Sequence, residues 1–425
     1  MKKTSPLIAA MKIKFPTILL LTLFLWACAR KQHTNRFNEP IHAIDLAKTS
    51  IKKSFPYSTI YSGVQIIPID STILIGSINK MDVYKDKLVI LDANLSKAIF
   101  ILSKQGQLIR KIGNIGSGPK EYTDCSDFAI DKQSGIIYVF DKRKNEMVLY
   151  DMDTGKYCRT LKLERKSELN RIWINSGKLY AINSYYQFRE KDQHAPYYIL
   201  QQIDTTTGKK VGQWLDAAWY NKGYKENLLH VNFFYPVSDN MDLFTFGISD
   251  TIMCIRNGEL SPYIAFNGDL QIKPEDISET ERTAVKLPVK ERSKVKHNLM
   301  LRLGRDLKKV ISFSNFHYHK GVLYFNYSTW PRFFASYNLE TNEAQTYAME
   351  QDDMLFLEDP SERILPHYLY ADGEGVYYFI KTDYLYQLKE WAKQKVLSNH
   401  VVGQETLFHV TEDSNPIILY YKYVE

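Results

Sequence analysis

The chain has 425 residues, with 55 Lys and Arg against 48 Asp and Glu, a formal charge of +7, and 30 Tyr and 21 Phe. That length is more than enough for a sizeable buried core. Four of the basic residues, Lys2, Lys3, Lys12 and Lys14, precede residue 28 with no acid among them, so the remainder carries only +3. So small an excess argues against nucleic acid as a partner.

The first segment has the form of an export signal. A basic start is followed by the apolar run 15–27, too short to span a bilayer and right for a signal-peptide core. It ends "LFLWACAR", in which Leu25-Trp26-Ala27-Cys28 is similar to a bacterial lipoprotein box. We expect residues 1–27 to be a signal peptide, Cys28 to be the lipidation site and membrane anchor, and 28–58 to be a polar tether. Ala29 after that cysteine points to the outer membrane, and the lack of an acidic cluster in the tether points to the periplasm rather than the cell surface. The other cysteines, Cys125, Cys158 and Cys254, are odd in number and scattered. They suggest buried thiols rather than a disulfide framework or zinc site.

From residue 59 onward one pattern recurs: a turn, a short apolar strand, a polar loop and a second alternating strand. Copies begin at "DKLVILDANLSKAIFILSKQGQLIRKIG" (86–113), "GIIYVFDKRKNEMVLYDMDTGKYCRTLKL" (135–163) and "GKLYAINSYYQF" (177–188). Weaker ones begin at 241, 321 and 373, and the last resumes at "NPIILYYKYVE" (415–425). In the first copy Leu88 and Ile90, then Ala98, Phe100 and Leu102, mark one strand face, and Gly with Asp or Asn punctuates the turns. A spacing of about 40–60 residues is that of propeller blades, each of which needs its neighbours to bury both faces. The expectation is therefore an all-β fold: one six-bladed β-propeller over 59–425. If the strand 64–69 pairs with the final strand, the ring closes and no sheet edge is left open.

Two stretches break this rhythm. Val295, Leu299, Leu303, Leu307 and Val310 within 274–310, and Leu385, Leu388, Ala392 and Val396 within 382–397, recur at helical spacing. They read as two helical insertions, one between blades four and five and one inside blade six.

The segment "GNIGSGPKEY" (113–122) is the most glycine-dense in the chain. Strand-like sequence follows it, so no helix N-terminus is available to face a phosphate. It reads instead as the crossing from one blade to the next, with Glu121 and Tyr122 as candidate channel-facing residues.

Three stretches resemble the six-bladed β-propeller lipoproteins of gut-type Gram-negative anaerobes, which are similar in architecture to NHL-repeat propellers. They are "IGSINKMDVYKDKLVILDANLSKAIFILSKQGQLIRKIG" (75–113), "IGSGPKEY" (115–122, with Lys120 where a glycine is usual) and "EDSNPIILYYKY" (412–423). The resemblance implies fold and compartment; it supplies no catalytic residues.

Little chemistry stands out locally. His317 and His319 in "FHYH" lack a nominated third ligand, and His194, His230 and His367 share no spacing with them. No nucleophile elbow, cofactor motif or metal set is present. The acidic stretch 350–360, with Asp352 and Asp353, reads as a solvated loop. Aromatic and arginine residues in the long loops are the better candidates for a binding rim: Tyr185, Tyr186 and Arg189; Trp219 and Tyr220; Trp330 and Arg332. The functional expectation is a non-enzymatic cell-envelope binding module for a glycan, peptide or protein partner. The alternative is a propeller lyase or hydrolase acting on carbohydrate or peptide, which would need acids or histidines converging at the channel mouth.

Overall fold

In the computed structural model, residues 41–164, 169–183, 196–229, 232–355, 366–394 and 398–425 are described. They form a six-bladed β-propeller with few helices. Blade one comprises Lys80–Tyr84, Lys87–Asp92, Ala98–Ser103 and Leu108–Ile112, all antiparallel neighbours. Blades two to five repeat that order from inner strands Asp127–Asp131, Leu169–Asn175, Phe234–Ser238 and Ser312–His319. Blade six contains His367–Ala371, Gly375–Ile380 and Ile417–Tyr423, then Tyr61–Pro68 from the start of the domain, with the two-residue strand Val401–Val402 paired parallel outside it. Val64 pairs with Tyr421 and Ile67 with Ile418, so the two ends of the chain lock the ring as expected.

The core lies between blades rather than within any one of them. Leu88, Ile90, Phe100 and Leu102 pack against Tyr377, Phe379 and Ile418 of blade six. The intervening Val89, Leu91, Ile99 and Ile101, which the alternation reading left outside the core face, are fully buried against Phe128, Ile137 and Val139 of blade two. A middle strand of a propeller is covered on both faces, so its sequence is continuously apolar, and each buried aliphatic side chain contributes roughly 1.5–3 kcal/mol. The outermost strands have one face in solvent. That is why Cys158, on Tyr157–Lys162, is exposed while Cys125 and Cys254 are buried.

The repeated turns have a shared mechanism. Asp151 and Asp204 open the third-to-fourth-strand turns and accept from Thr154 N at 2.7 Å and Thr207 N at 2.7 Å. Gly155 and Gly208 close those turns at φ +70° and +71°. Asp92 and Asp141, at the ends of second strands, hold the blade crossings by accepting from Gly76 N at 2.8 Å and Thr123 N at 2.5 Å.

The expected tether is described only from residue 41, and from there it is part of the fold. His42–Asp45 adds a parallel strand outside blade four, pairing with 264–267, and Ile51–Lys52 does so outside blade five at Thr346 and Tyr347. Phe55 and Pro56 then pair with Glu350 and Gln351. The acidic stretch after blade five is accordingly structural where it is described: Asp353 accepts from Ser58 N at 2.9 Å, and Asp352 from the Tyr421 hydroxyl at 2.5 Å. This strap covers two sheet edges that would otherwise offer unpaired backbone.

The first insertion holds helices Glu279–Thr283 and Val289–Leu301, and the second is Thr382–Gln394. Leu299 and Leu303 are buried against Tyr224, Leu228 and Ile248; Leu385, Leu388 and Ala392 join the core of blade six. Leu307 is 42% exposed, and Val396 lies outside the described residues.

Candidate functional site

Inner strands of neighbouring blades touch one another around a central channel. Trp173, Pro236 and Tyr370 line cavities on both sides of a constriction. On one side is a small cavity of about 40 Å³ beside Lys80, Arg171 and Phe233. On the other is a mouth of about 400 Å³ where the first-to-second-strand hairpins end.

The small side is closed by its own charges. Lys80 lies 3.2 Å from Asp127 and donates to the Phe128 carbonyl at 2.5 Å and the Ile172 carbonyl at 3.0 Å. Burial pulls its pKa below the usual lysine value, against the pull of Asp127.

The large mouth draws on five blades. Asp82 comes from blade one, Asp131 and Lys132 from blade two, Trp173 and Asn175 from blade three, Asp242 from blade four, and Tyr370 with Asp372 from blade six. Trp173 stacks on Phe234 with centroids 5.5 Å apart, which fixes its indole N–H to donate to Asp242 Oδ2 at 2.7 Å. Asn175 Nδ2 donates to the same oxygen at 2.8 Å, and its own carbonyl accepts from Gly258 N at 2.6 Å. Asp242 is 6% exposed. Burial pushes its carboxyl up to about 6, against the lowering effect of those two donors and Lys132.

Lys132 lies 2.9 Å from Asp82 and donates to the Tyr370 hydroxyl at 2.8 Å. Its side chain is 46% exposed and lines the mouth. Burial opposes its charge, and Asp82 and Tyr370 outweigh that to hold its pKa above the ordinary lysine value. Asp372 is pushed up by burial as well, its hydrogen bonds from Glu374 and Gly375 notwithstanding.

The residues nominated from sequence fall elsewhere. Tyr122 is fully buried between blades one and two, its hydroxyl donating to the Ile112 carbonyl at 2.8 Å. Glu121 accepts from Gly118 N at 2.9 Å. Neither faces the channel: their side chains build the crossing itself. Gly116 and Gly118 serve that carboxylate through space rather than unusual dihedrals, since a Cβ on either would press on Glu121; of the three glycines only Gly113, at φ +61°, is left-handed.

Trp219 is 84% exposed on the short helix Ala217–Tyr220, and Tyr220 donates to the Thr251 carbonyl at 2.8 Å. Trp330, 45% exposed, and Arg332, 3.5 Å from Glu350, flank a turn of blade five. None of these lines either channel cavity. Antiparallel alternation puts their connections at the end of the blades opposite the large mouth. Tyr185, Tyr186, Arg189, His194, His230 and Cys28 lie outside the described residues.

His317 is buried, stacks on Tyr324 at 5.2 Å and lies 3.1 Å from the Asn315 carbonyl; burial pulls its pKa down to about 4. His319 stacks on Tyr423 at 4.3 Å, and His367 is exposed beside Phe379. Among the described residues no three His, Cys, Asp or Glu gather as a metal site, and no helix is long and apolar enough to cross a membrane.

The mouth residues escaped the sequence reading because the repeat was read from each second strand. One strand earlier, Asp131 and Asn175 each end an apolar inner strand and Asp82 lies inside one.

The fold is similar to that of a putative exported protein from Bacteroides fragilis, with a TM-score of 0.63 at 16% identity over 89% of this chain and 99% of that one. A DUF4221 family member from Bacteroides vulgatus aligns with a TM-score of 0.49 at 12% identity over 85% of this chain and 96% of that one. No curated protein matches the sequence. The family model described as Domain of unknown function (DUF4934) matches residues 41–422, nearly the whole propeller, and the chain belongs to that family.

Proposed function

We propose that this protein is an exported cell-envelope binding module, anchored by a lipid on Cys28 in the outer membrane, that holds its ligand in the large channel mouth. The observation that carries the reading is the mouth itself: about 400 Å³, rimmed by residues of five blades and floored by Trp173 and Tyr370. Volume and mixed polarity match small-molecule and side-chain pockets. A rigid ring supplies the preorganisation that limits the ordering cost of binding. The signal-like first segment, and a structural relative described as a putative exported protein, support the compartment.

A screen of the purified chain against glycans and peptides by thermal shift, repeated on Ser238→Trp, tests the site. Ser238 is an exposed residue on the mouth. Ligands found with the native chain are expected to be lost with the variant. Hits that bind the blocked variant unchanged would place binding elsewhere. Fatty-acid labelling of the cell-expressed chain, lost in Cys28→Ala, tests the anchor.

A further inference from the structure

We propose that the large mouth takes a compact organic cation bearing a primary ammonium group, with Asp242 as its main acceptor. This rests on the binding reading above and names the ligand class for that site.

The charge balance comes first. Among the described residues, Asp82, Asp131, Asp239, Asp242 and Asp372 line the mouth against one cation, Lys132. Three of those carboxylates are already engaged. Asp82 holds Lys132, Asp131 accepts from the Ser134 hydroxyl at 2.6 Å, and Asp372 accepts from Glu374 N and Gly375 N at 2.8 and 2.9 Å. Asp239 is exposed on its hairpin.

Asp242 differs. It is more than nine-tenths buried, and both its hydrogen bonds land on Oδ2. Among the described residues Oδ1 accepts no hydrogen bond, and the side chain lines the cavity. Oδ1 is the oxygen left open to the mouth, and a charged N–H donor from a ligand is the partner a carboxylate oxygen holds best. Burial raises its pKa, as expected of a charge that its two donors do not fully compensate.

The mouth already shows how it receives an ammonium. Lys132 places its Nζ against the Asp82 carboxylate and the Tyr370 hydroxyl, 5.3 Å from the centre of the Tyr370 ring. An anion would meet an excess of carboxylates. A neutral sugar would want an open ring face, and Trp173 and Tyr370 are only 7% and 4% exposed.

The test is a five-carbon series on the full chain by titration calorimetry at low salt: cadaverine, 1,5-pentanediol and glutarate. A further arm with Nα-acetyl-lysine methylamide separates a free amine from a peptide's lysine side chain. Cadaverine is expected to bind at least about tenfold more tightly than the diol, with glutarate not binding. Asp242→Asn should weaken cadaverine about tenfold or more, whereas Lys132→Gln, which removes the competing internal cation, should tighten it. A merely structural role for either residue would not move affinity in opposite directions, and near-UV circular dichroism confirms that both variants are folded. Equal binding of diol and diamine would overturn the cation assignment while leaving the mouth a binding site. No binding by any amine up to 10-millimolar range (~10 mM, the weak limit of specific recognition) would overturn it too, and the Ser238→Trp comparison then decides separately whether the mouth binds anything.

Discussion

Replacing Asp242 by Asn removes a charge that the fold buries without full compensation, and the consequence depends on pH in a calculable way. Burial raises this carboxyl from 3.8 to about 6 in the folded state. A group whose folded pKa is raised contributes its stability fully below the unfolded value and loses it as pH climbs through the folded value. The native chain should therefore lose stability between about pH 4 and 6, reaching roughly 3 kcal/mol at neutrality from this group alone. Asn cannot ionise, and its carbonyl can still accept from Trp173 and Asn175. The stability difference between variant and native chain should be small near pH 4 and grow to a ceiling of about 3 kcal/mol at pH 7, water in the mouth screening part of it. Asp352, also pushed up to about 6 by burial, and His317 titrate nearby, but they do so in both proteins and cancel in the difference. Guanidinium midpoints followed by tryptophan fluorescence between pH 4.5 and 7.5 measure this directly. A difference that stays flat with pH, or a variant less stable than the native chain at pH 7.5, would refute the reasoning.

Gly208→Ala should cost about 2 kcal/mol or more, because at φ +71° its Cβ would run into the Lys162 carbonyl of blade two. Gly177→Ala, at φ +73° but with nothing within 4 Å, should cost only the roughly 1–2 kcal/mol of left-handed backbone, and comparing their denaturation midpoints separates collision from strain. His317, whose imidazole burial pulls down to about 4, should stay neutral at pH 5 in an NMR titration. Its folded pKa is depressed, so its contribution is lost as pH falls from about 6.5 toward 4, by roughly 3 kcal/mol; an imidazole titrating near 6.5 would contradict the buried placement.

Much of the fold was legible locally. "LVILD" and "AIFILS" announce strands through apolar density, and "MDTGK" and "TTTGK" announce turns through an Asx acceptor and a left-handed glycine. The closing partner of 417–423 was readable as well, since a ring with an unpaired first strand leaves an open edge. Solvation was misjudged where the partner is remote. Asp352 and Asp353 look like surface acids until 55–61 is laid against them, and Glu121 and Tyr122 look exposed until blades one and two meet over the crossing.

The aromatic loops drew attention because tyrosine, tryptophan and arginine are conspicuous in sequence wherever they occur. The mouth was silent because Asp82, Lys132, Asn175 and Asp242 are ordinary residues, 160 positions apart from first to last, and only ring closure makes them neighbours.

Sequence alone determined what short-range physics controls: the strand repeat, the turn chemistry and the two helical insertions. Tertiary structure decided which face of each strand is covered, how the segment after residue 41 straps the outer edges, and where charges converge. Periodicity encodes burial along one element, but the channel mouth is made by the ends of inner strands from five blades, and their meeting is a property of the closed ring.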